Sequence, residues 1–404
     1  MKKIIFIIAL MLTVCSTAMA DSQAPANNQI FYTSSDGNVV TPNIAGIESN
    51  TYENGQGIIT FNSEITSIKE YAFDKCSTLT SIILPSGVQS IGVGAFRDCE
   101  NLTGITIPST VSEINQWAFI RCKKLTSIVI PNGVTSIGIQ TFEQCCSLTS
   151  VSIPNSVKTI ESRAFWGCTS LTNIIIPSSV KSLGYDPFEA CSNLTEIFLL
   201  GTTPPSIGEK AFDWIASNAV FVIPDGTMDT YKNSGWSNLN LITFSEYKQQ
   251  KEDDIILSNE LKAFLTFEEI QDFETYKSNF QNASTQVDAY LWKVRAMGII
   301  AVAEIRRDMG SDRNIAYLNH IIQSEMAAIR TAETEADINR IKSAISAKLV
   351  EGRNKYAIYQ EVVAEEFGSL LTEQNGPAIE GESEDGQTIK LYKVKNVKFS
   401  KEEE

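Results

Sequence analysis

Apolar positions recur along the first half of the chain with a period of 23 residues. Leu79, Leu102, Leu125, Leu148, Leu171 and Leu194 form one column. Each is followed by a threonine, then by Ile or Val at 82, 105, 128, 151, 174 and 197, then by Ile or Leu at 84, 107, 130, 153, 176 and 199. In Leu79-Thr-Ser-Ile82-Ile-Leu84, residues 82 and 84 point to one face of a strand and 81 and 83 to the other. Pro85, Pro108, Pro131, Pro154 and Pro177 follow the strand and stop its hydrogen-bond ladder at one place in every unit. A return arm of the form Val88-x-x-Ile91-x-x-x-Ala95-Phe96-x-x-Cys99 supplies further inward groups. The Ala beside a large Phe predicts a short helical turn there. Gly92, Asn115, Gly138, Gly184 and Gly208 follow the arm's aliphatic residue, where a tight bend favours them. Lys69 and Glu161 share that column, so a left-handed backbone is not obligatory.

A fixed period of 20–29 residues with an L-x-x-I-x-I core marks a leucine-rich repeat solenoid. No single unit can bury its own apolar face, so stability comes from stacking neighbours. The columns C-x-x-L-T-x-I-x-I-P-x-x-V-x-x-I-G-x-x-A-F, from about 58 to 212, resemble the BspA-like leucine-rich repeats of bacterial surface proteins. The resemblance implies an opening hairpin over Tyr32 to Pro42, turning at Asp36-Gly37, and a terminal capping unit running from Ile207 to Trp236. It also implies adherence to host or matrix proteins without naming a ligand. Gln56 stands where Cys is expected in the opening coil.

After about Thr243 the period disappears. Residues 245–371 are rich in Ala, Glu, Ile and Lys, with apolar residues at helical spacing. Breaks at 282–284, 310–312 and 331–334 divide them into about four helices, with Ser284, Ser311 and Thr334 as N-caps. Broad stripes favour a bundle. Past Gly376-Pro377, Ala378 to Glu380 and Thr388 to Phe399 read as a β-hairpin tail spanning 376–404. The fold class is therefore α+β: a leucine-rich repeat solenoid with a parallel concave β-sheet over 30–243, capped at both ends, then a helical domain over 245–371 and the hairpin.

The N-terminus sets the compartment. Lys2-Lys3, the apolar run Ile4 to Val14 and Ala18-Met-Ala20 form a signal peptide over 1–20, cleaved after Ala20. Residues 21–29 are a polar leader, and the product is secreted or displayed at the cell surface. The alternative is lipid anchoring at Cys15. No other run reaches the ~18 apolar residues needed for a transmembrane helix in the mature chain. A formal net charge of −15 over 404 residues excludes a basic nucleic-acid footprint.

Candidate chemistry is sparse. Cys76, Cys99, Cys122, Cys145, Cys168 and Cys191 occupy one column, which favours a buried thiol stack over disulfides or metal ligands, even in an exported chain. Cys146 lies in a polar column and is the candidate exposed thiol, open to an intermolecular bridge. His320, the single histidine, has no nucleophile motif beside it. No catalytic, cofactor or metal residue is assigned, and the chain is not read as an enzyme. The candidate site is the outward strand face, where Ile83, Val129, Ile175 and Phe198 make an apolar row among small polar residues. β-propensity alone also places such residues there. The expected function is an adhesion module recognising a protein or glycan partner, such as host extracellular matrix. The alternatives are a glycan- or peptide-processing enzyme sited in the C-terminal half, or a structural protein of the envelope.

Overall fold

The repeat folds as a right-sized ring that meets its neighbour one period away. The computed structural model describes residues 24–308, 322, 325–332, 338, 341 and 345, and the backbone of 378–382 and 388–392. Strands such as Leu79–Ile83 and Gly104–Thr106 pair in parallel with Ile82 opposite Ile105, a shift of one repeat. A second parallel ladder runs through two-residue strands, Ser67–Ile68, Ser90–Ile91 and Glu113–Ile114, and continues from Ser136–Ile137 to Ser206–Ile207.

The third side of each coil, expected as a short helical turn, is a run of tight turns. Amides there alternate between two destinations. Those of Gly94, Phe96 and Asp98 donate to the carbonyls of Gln116, Ala118 and Ile120 in the next coil, at 3.1, 2.8 and 3.0 Å. Those of Ala95, Arg97 and Cys99 bond back within their own coil. The alternation requires left-handed residues at two columns, Tyr71, Gly94, Trp117, Gln140, Arg163 and Asp186 in one and Lys75, Asp98, Arg121, Gln144, Gly167 and Ala190 in the other. Bonds to the neighbouring coil hold these conformations, so the columns need no glycine. The glycines of the Gly92 column serve a different end. A Cβ on Gly184 would lie 2.6 Å from the Ser162 nitrogen, and one on Gly208 would lie 2.0 Å from the Gly184 oxygen. Close backbone approach between coils, not a left-handed bend, selects glycine there.

Inside, Phe73, Phe96, Phe119, Phe142, Phe165, Phe188 and Phe212 stack in near-parallel pairs, with centroids 5.2–5.5 Å apart. Beside them the thiols are hydrogen-bond donors as well as small apolar groups. Cys99, Cys122, Cys145, Cys168 and Cys191 each point Sγ at the carbonyl of the previous coil's Phe, at 3.0–3.2 Å. The threonine column works the same way: Thr103 Oγ1 donates to the Thr80 carbonyl at 2.9 Å.

The N-terminal cap departs from the expected hairpin. Strands β1 (Gln29–Ser34), β2 (Ile47–Glu53) and β3 (Gln56–Phe61) lie in the order β2-β3-β1, and β1 then pairs antiparallel with the first coil's Leu79–Ile83. The turn at Gly37 forms, but residues 39–42 are not a strand. The hairpin proper joins β2 to β3 through Asn54-Gly55, both left-handed at 51° and 81°, as a two-residue turn of this hand requires. Residues 58–61, expected as the opening coil, belong to this antiparallel cap. At the other end Trp236 and Tyr231 close the column over Phe212 and donate to the carbonyls of Pro205 and Gly201, at 3.0 and 2.6 Å.

Helices follow: α1 (Met228–Lys232) within the cap, then α2 (Phe244–Lys251), α3 (Asn259–Lys262), α4 (Phe267–Gln281) and α5 (Gln286–Asp308). Capping boxes Thr243/Glu246 and Thr266/Glu269 start α2 and α4. Thr285, not Ser284, accepts from the Asp288 amide at the start of α5. The chain forms two units, 1–253 with 283–290, and 254–282 with 291–404. Within the second, Arg306 makes a two-point ion pair with buried Glu269. The tail hairpin pairs Ala378–Glu382 with Thr388–Tyr392. Residues 1–23 with the signal segment and Cys15, and also Ser311, His320 and Thr334, lie outside the described residues. Among the described residues, no helix is long and apolar enough to cross a membrane.

Inter-coil approach gives a direct test. Gly208→Ala should lower unfolding stability by about 3 kcal/mol, the upper end for overpacking a tight site. At Gly138 a Cβ would be 3.2 Å from its nearest atom, so the same change should cost about 1 kcal/mol. Chemical denaturation of the two variants checks the order.

Candidate partner-binding face

The outward strand face is built from two residues per coil. Ser81 and Ile83 pair in register with Gly104 and Thr106, Ser127 and Val129 with Ser150 and Ser152, and Asn173 and Ile175 with Glu196 and Phe198. The cap strand β1 extends the face: Phe31 lies opposite Ile83 and Thr33 opposite Ser81, with Thr33 Oγ1 2.6 Å from the hydroxyls of Thr80 and Ser81. Phe31, Ile83, Val129 and Ile175 are each half-buried. From Thr33 to Ile175 these outward positions carry hydroxyl, amide and aliphatic groups and no charge.

Phe198 is not on the surface. Its side chain is 0% exposed, held edge-on by the rings of Tyr247 and Tyr290 at 5.2 and 5.3 Å. Both tyrosines come from parts of the chain that pack with the solenoid, α2 and residues 283–290. Tyr290 accepts from the Asn173 amide at 2.7 Å, and Tyr247 donates to Glu196 at 3.2 Å. Lys251 pairs with the same carboxylate at 3.2 Å, so the one charged residue of the face is buried and neutralised. Gln286 Nε2 reaches the Val222 carbonyl at 3.4 Å. The outward face is thus divided: Asn173, Glu196 and Phe198 are buried under α2 and residues 283–290, whereas Phe31, Ile83, Val129 and Ile175 are half-buried. The period-23 pattern marks the face but holds no sign of the cover, which comes from residues 49 and 92 positions downstream of Phe198.

The thiol column is buried and free of disulfides. Burial pushes the Cys76 thiol up to about 11 and the Cys191 thiol up to about 12, and raises the four between them well above the ordinary value. Such thiols are poor nucleophiles and metal ligands. Cys146 is half-buried rather than fully exposed, with Sγ 3.4 Å from the Gln144 carbonyl. Among the described residues, no group of three or more His, Cys, Asp or Glu could hold a metal ion.

Two outcomes follow. In the native protein a small thiol reagent should modify Cys146 and leave Cys99, Cys122, Cys145, Cys168 and Cys191 untouched until denaturant is added, as mass spectrometry of labelled peptides would show. Phe198→Ala should destabilise the fold by about 3–5 kcal/mol, the cost of emptying a fully buried aromatic site, measured by thermal or chemical unfolding.

Comparison with known proteins places this architecture. The BspA type leucine rich repeat region, in six copies, matches residues 46–171 and 136–259. A leucine-rich repeat protein of T. pallidum is 35% identical, over 43% of this chain and 78% of that one, with a TM-score of 0.38. A leucine-rich cell surface protein of Faecalibacterium prausnitzii is 26% identical, over 51% and 72%, with a TM-score of 0.34. A leucine-rich repeat protein of Bacteroides ovatus is 25% identical, over 50% and 67%, with a TM-score of 0.24. Comparison with curated proteins gave no match. The repeats from 46 to 259 span more than half of the chain, and it belongs to the BspA-type leucine-rich repeat family.

Proposed function

We propose that this protein is an exported binding module, displayed at the cell surface or secreted, that captures a protein partner on the half-buried row of its strand face from Phe31 to Ile175. The apolar row there is Phe31, Ile83, Val129 and Ile175, with Thr106 and Ser152 between them. The observation that carries the reading is how the same face is used at its other end. There it takes two tyrosine rings against Phe198, and their hydroxyls engage the polar residues alongside. A face whose rows of aliphatic and small polar groups accept tyrosine in this way suits aromatic-rich protein surfaces, where Tyr and Trp concentrate binding energy. Family membership supports binding rather than catalysis, and adhesion to host matrix is the form of binding the reading favours.

The test is a double variant, Val129→Ser with Ile175→Ser. Both side chains leave the core untouched, so circular dichroism and unfolding midpoint should match the wild type. Binding to a panel of purified extracellular-matrix proteins, measured by surface plasmon resonance, should weaken by roughly a hundredfold or more, since a good interface anchor is worth about 2 kcal/mol. A folded double variant that keeps full affinity for whichever protein the wild type captures would remove the strand face as the site.

A further inference from the structure

Two acids meet on the turn side of the coil that carries Asp186 and Glu189. Their side chains are nearly closed to solvent, at 1% and 7% exposure. Arg163, one coil earlier, donates from Nε to Asp186 Oδ2 at 3.0 Å. The second oxygen, Oδ1, is buried with no hydrogen-bond donor. Buried oxygens in that state are rare and costly. On Glu189 the Asp186 carboxylate and the Trp166 indole of the preceding coil act in opposite senses, the first favouring its proton and the second its loss.

The repeat supplies its own control. Two coils earlier the same two columns hold Gln140 and Glu143, and the Gln140 amide donates to Glu143 Oε2 at 2.7 Å. In the column of Glu189 itself Asp74 pairs with Arg97, and in the next column Asp98 pairs with Arg121. At 186 and 189 the two columns hold two acids, and Asp186 Oδ1 is left without a donor. A proton is what would restore the missing donor.

We propose that Glu189 carries a proton and donates it to Asp186 Oδ1, and that this bond clasps this turn of the solenoid in mildly acidic surroundings and is released as pH rises. Arg163 already serves Asp186 Oδ2, so the donor that is missing is one for Oδ1, and a protonated Glu189 would supply it. Burial, and then the Asp186 carboxylate, hold Glu189 above the ordinary carboxyl value of 4.5, while Lys210 of the following coil acts in the opposite sense. The remaining charged or titratable neighbours are Glu143, which faces Arg163, and Tyr185 and Asp213, which face Lys210.

The linkage has a definite sign. A carboxyl whose folded-state pKa is raised retains a proton that the unfolded chain gives up. Its contribution is complete below about pH 4.5, the unfolded value, and drains away as pH climbs through the folded value. Other carboxylates respond in the opposite direction: Asp98 is held down by its bond to Arg121 and Glu246 by its bonds to Thr243. The difference between wild type and Glu189→Gln therefore isolates this pair, because the amide donates at every pH.

The experiment measures urea unfolding of the full chain and of Glu189→Gln between pH 4.5 and 8.5. The ratio of their folding constants should turn in favour of the Gln variant as pH rises, by up to about tenfold per pH unit, the limit for one proton. Carboxyl ¹³C NMR of glutamate-labelled protein, with the Glu189 signal assigned by its loss in the variant, should place its midpoint above 4.5. A midpoint at or below 4.5, or a ratio independent of pH, would overturn the clasp. A third arm adds calcium chloride at pH 7.5. Calcium that stabilises the wild type but not the variant would mean a cation fills the site, and would overturn it too; equal response of both proteins is the expected result.

Discussion

Everything in the solenoid follows from the step between coils. Ring centroids of the stacked phenylalanines recur at 5.2–5.5 Å, and every column must live with that spacing. Every second amide on the turn side finds its partner in the carbonyl of the next coil's equivalent turn. The thiol of each Cys has another, the preceding coil's Phe carbonyl. Glycine is needed only where two backbones come closer than a Cβ allows, as at Gly184 and Gly208. Polar groups buried between coils are satisfied by repetition, which is why hydroxyl and thiol columns persist in an otherwise apolar stack.

Much of this was legible before any coordinates. Inward and outward strand positions, the proline stops and the thiol column follow from periodicity, because a solenoid places each residue against its own counterpart. Three features were not read correctly. Residues 58–61 copy the apolar pattern of a coil but run antiparallel, and the Asn54-Gly55 turn was the signal that distinguishes them. Left-handed turns fell on Tyr, Trp, Gln and Arg, since inter-coil bonds rather than residue type maintain them. The helix starts at Thr243 and Thr266 are marked by T-x-x-E boxes, a local signal that apolar spacing does not carry.

The candidate site was half legible for a related reason. Alternation identifies which side chains leave the core, but exposure depends on what else packs there. Glu196 and Phe198 look like the most distinctive residues of an open face, a lone charge and a large ring. Their character instead reflects their partners within the chain: Lys251 and Tyr247 for the acid, Tyr247 and Tyr290 for the ring. The plainer residues, Ile83, Val129 and Ile175, are half-buried.

Register by whole periods has a consequence for how such a chain can change over generations. Because Ile82 faces Ile105 and Ser127 faces Ser150, a duplicated or deleted 23-residue segment rejoins its neighbours with every column intact. Recombination between repeats in the stretch from 85 to 170 would lengthen or shorten the strand face in steps of one coil. It would leave the antiparallel cap, the tyrosine cover and the Trp236 closure as they are. The reach of that face can then vary among descendants while its ends, and the folding problem they solve, stay constant.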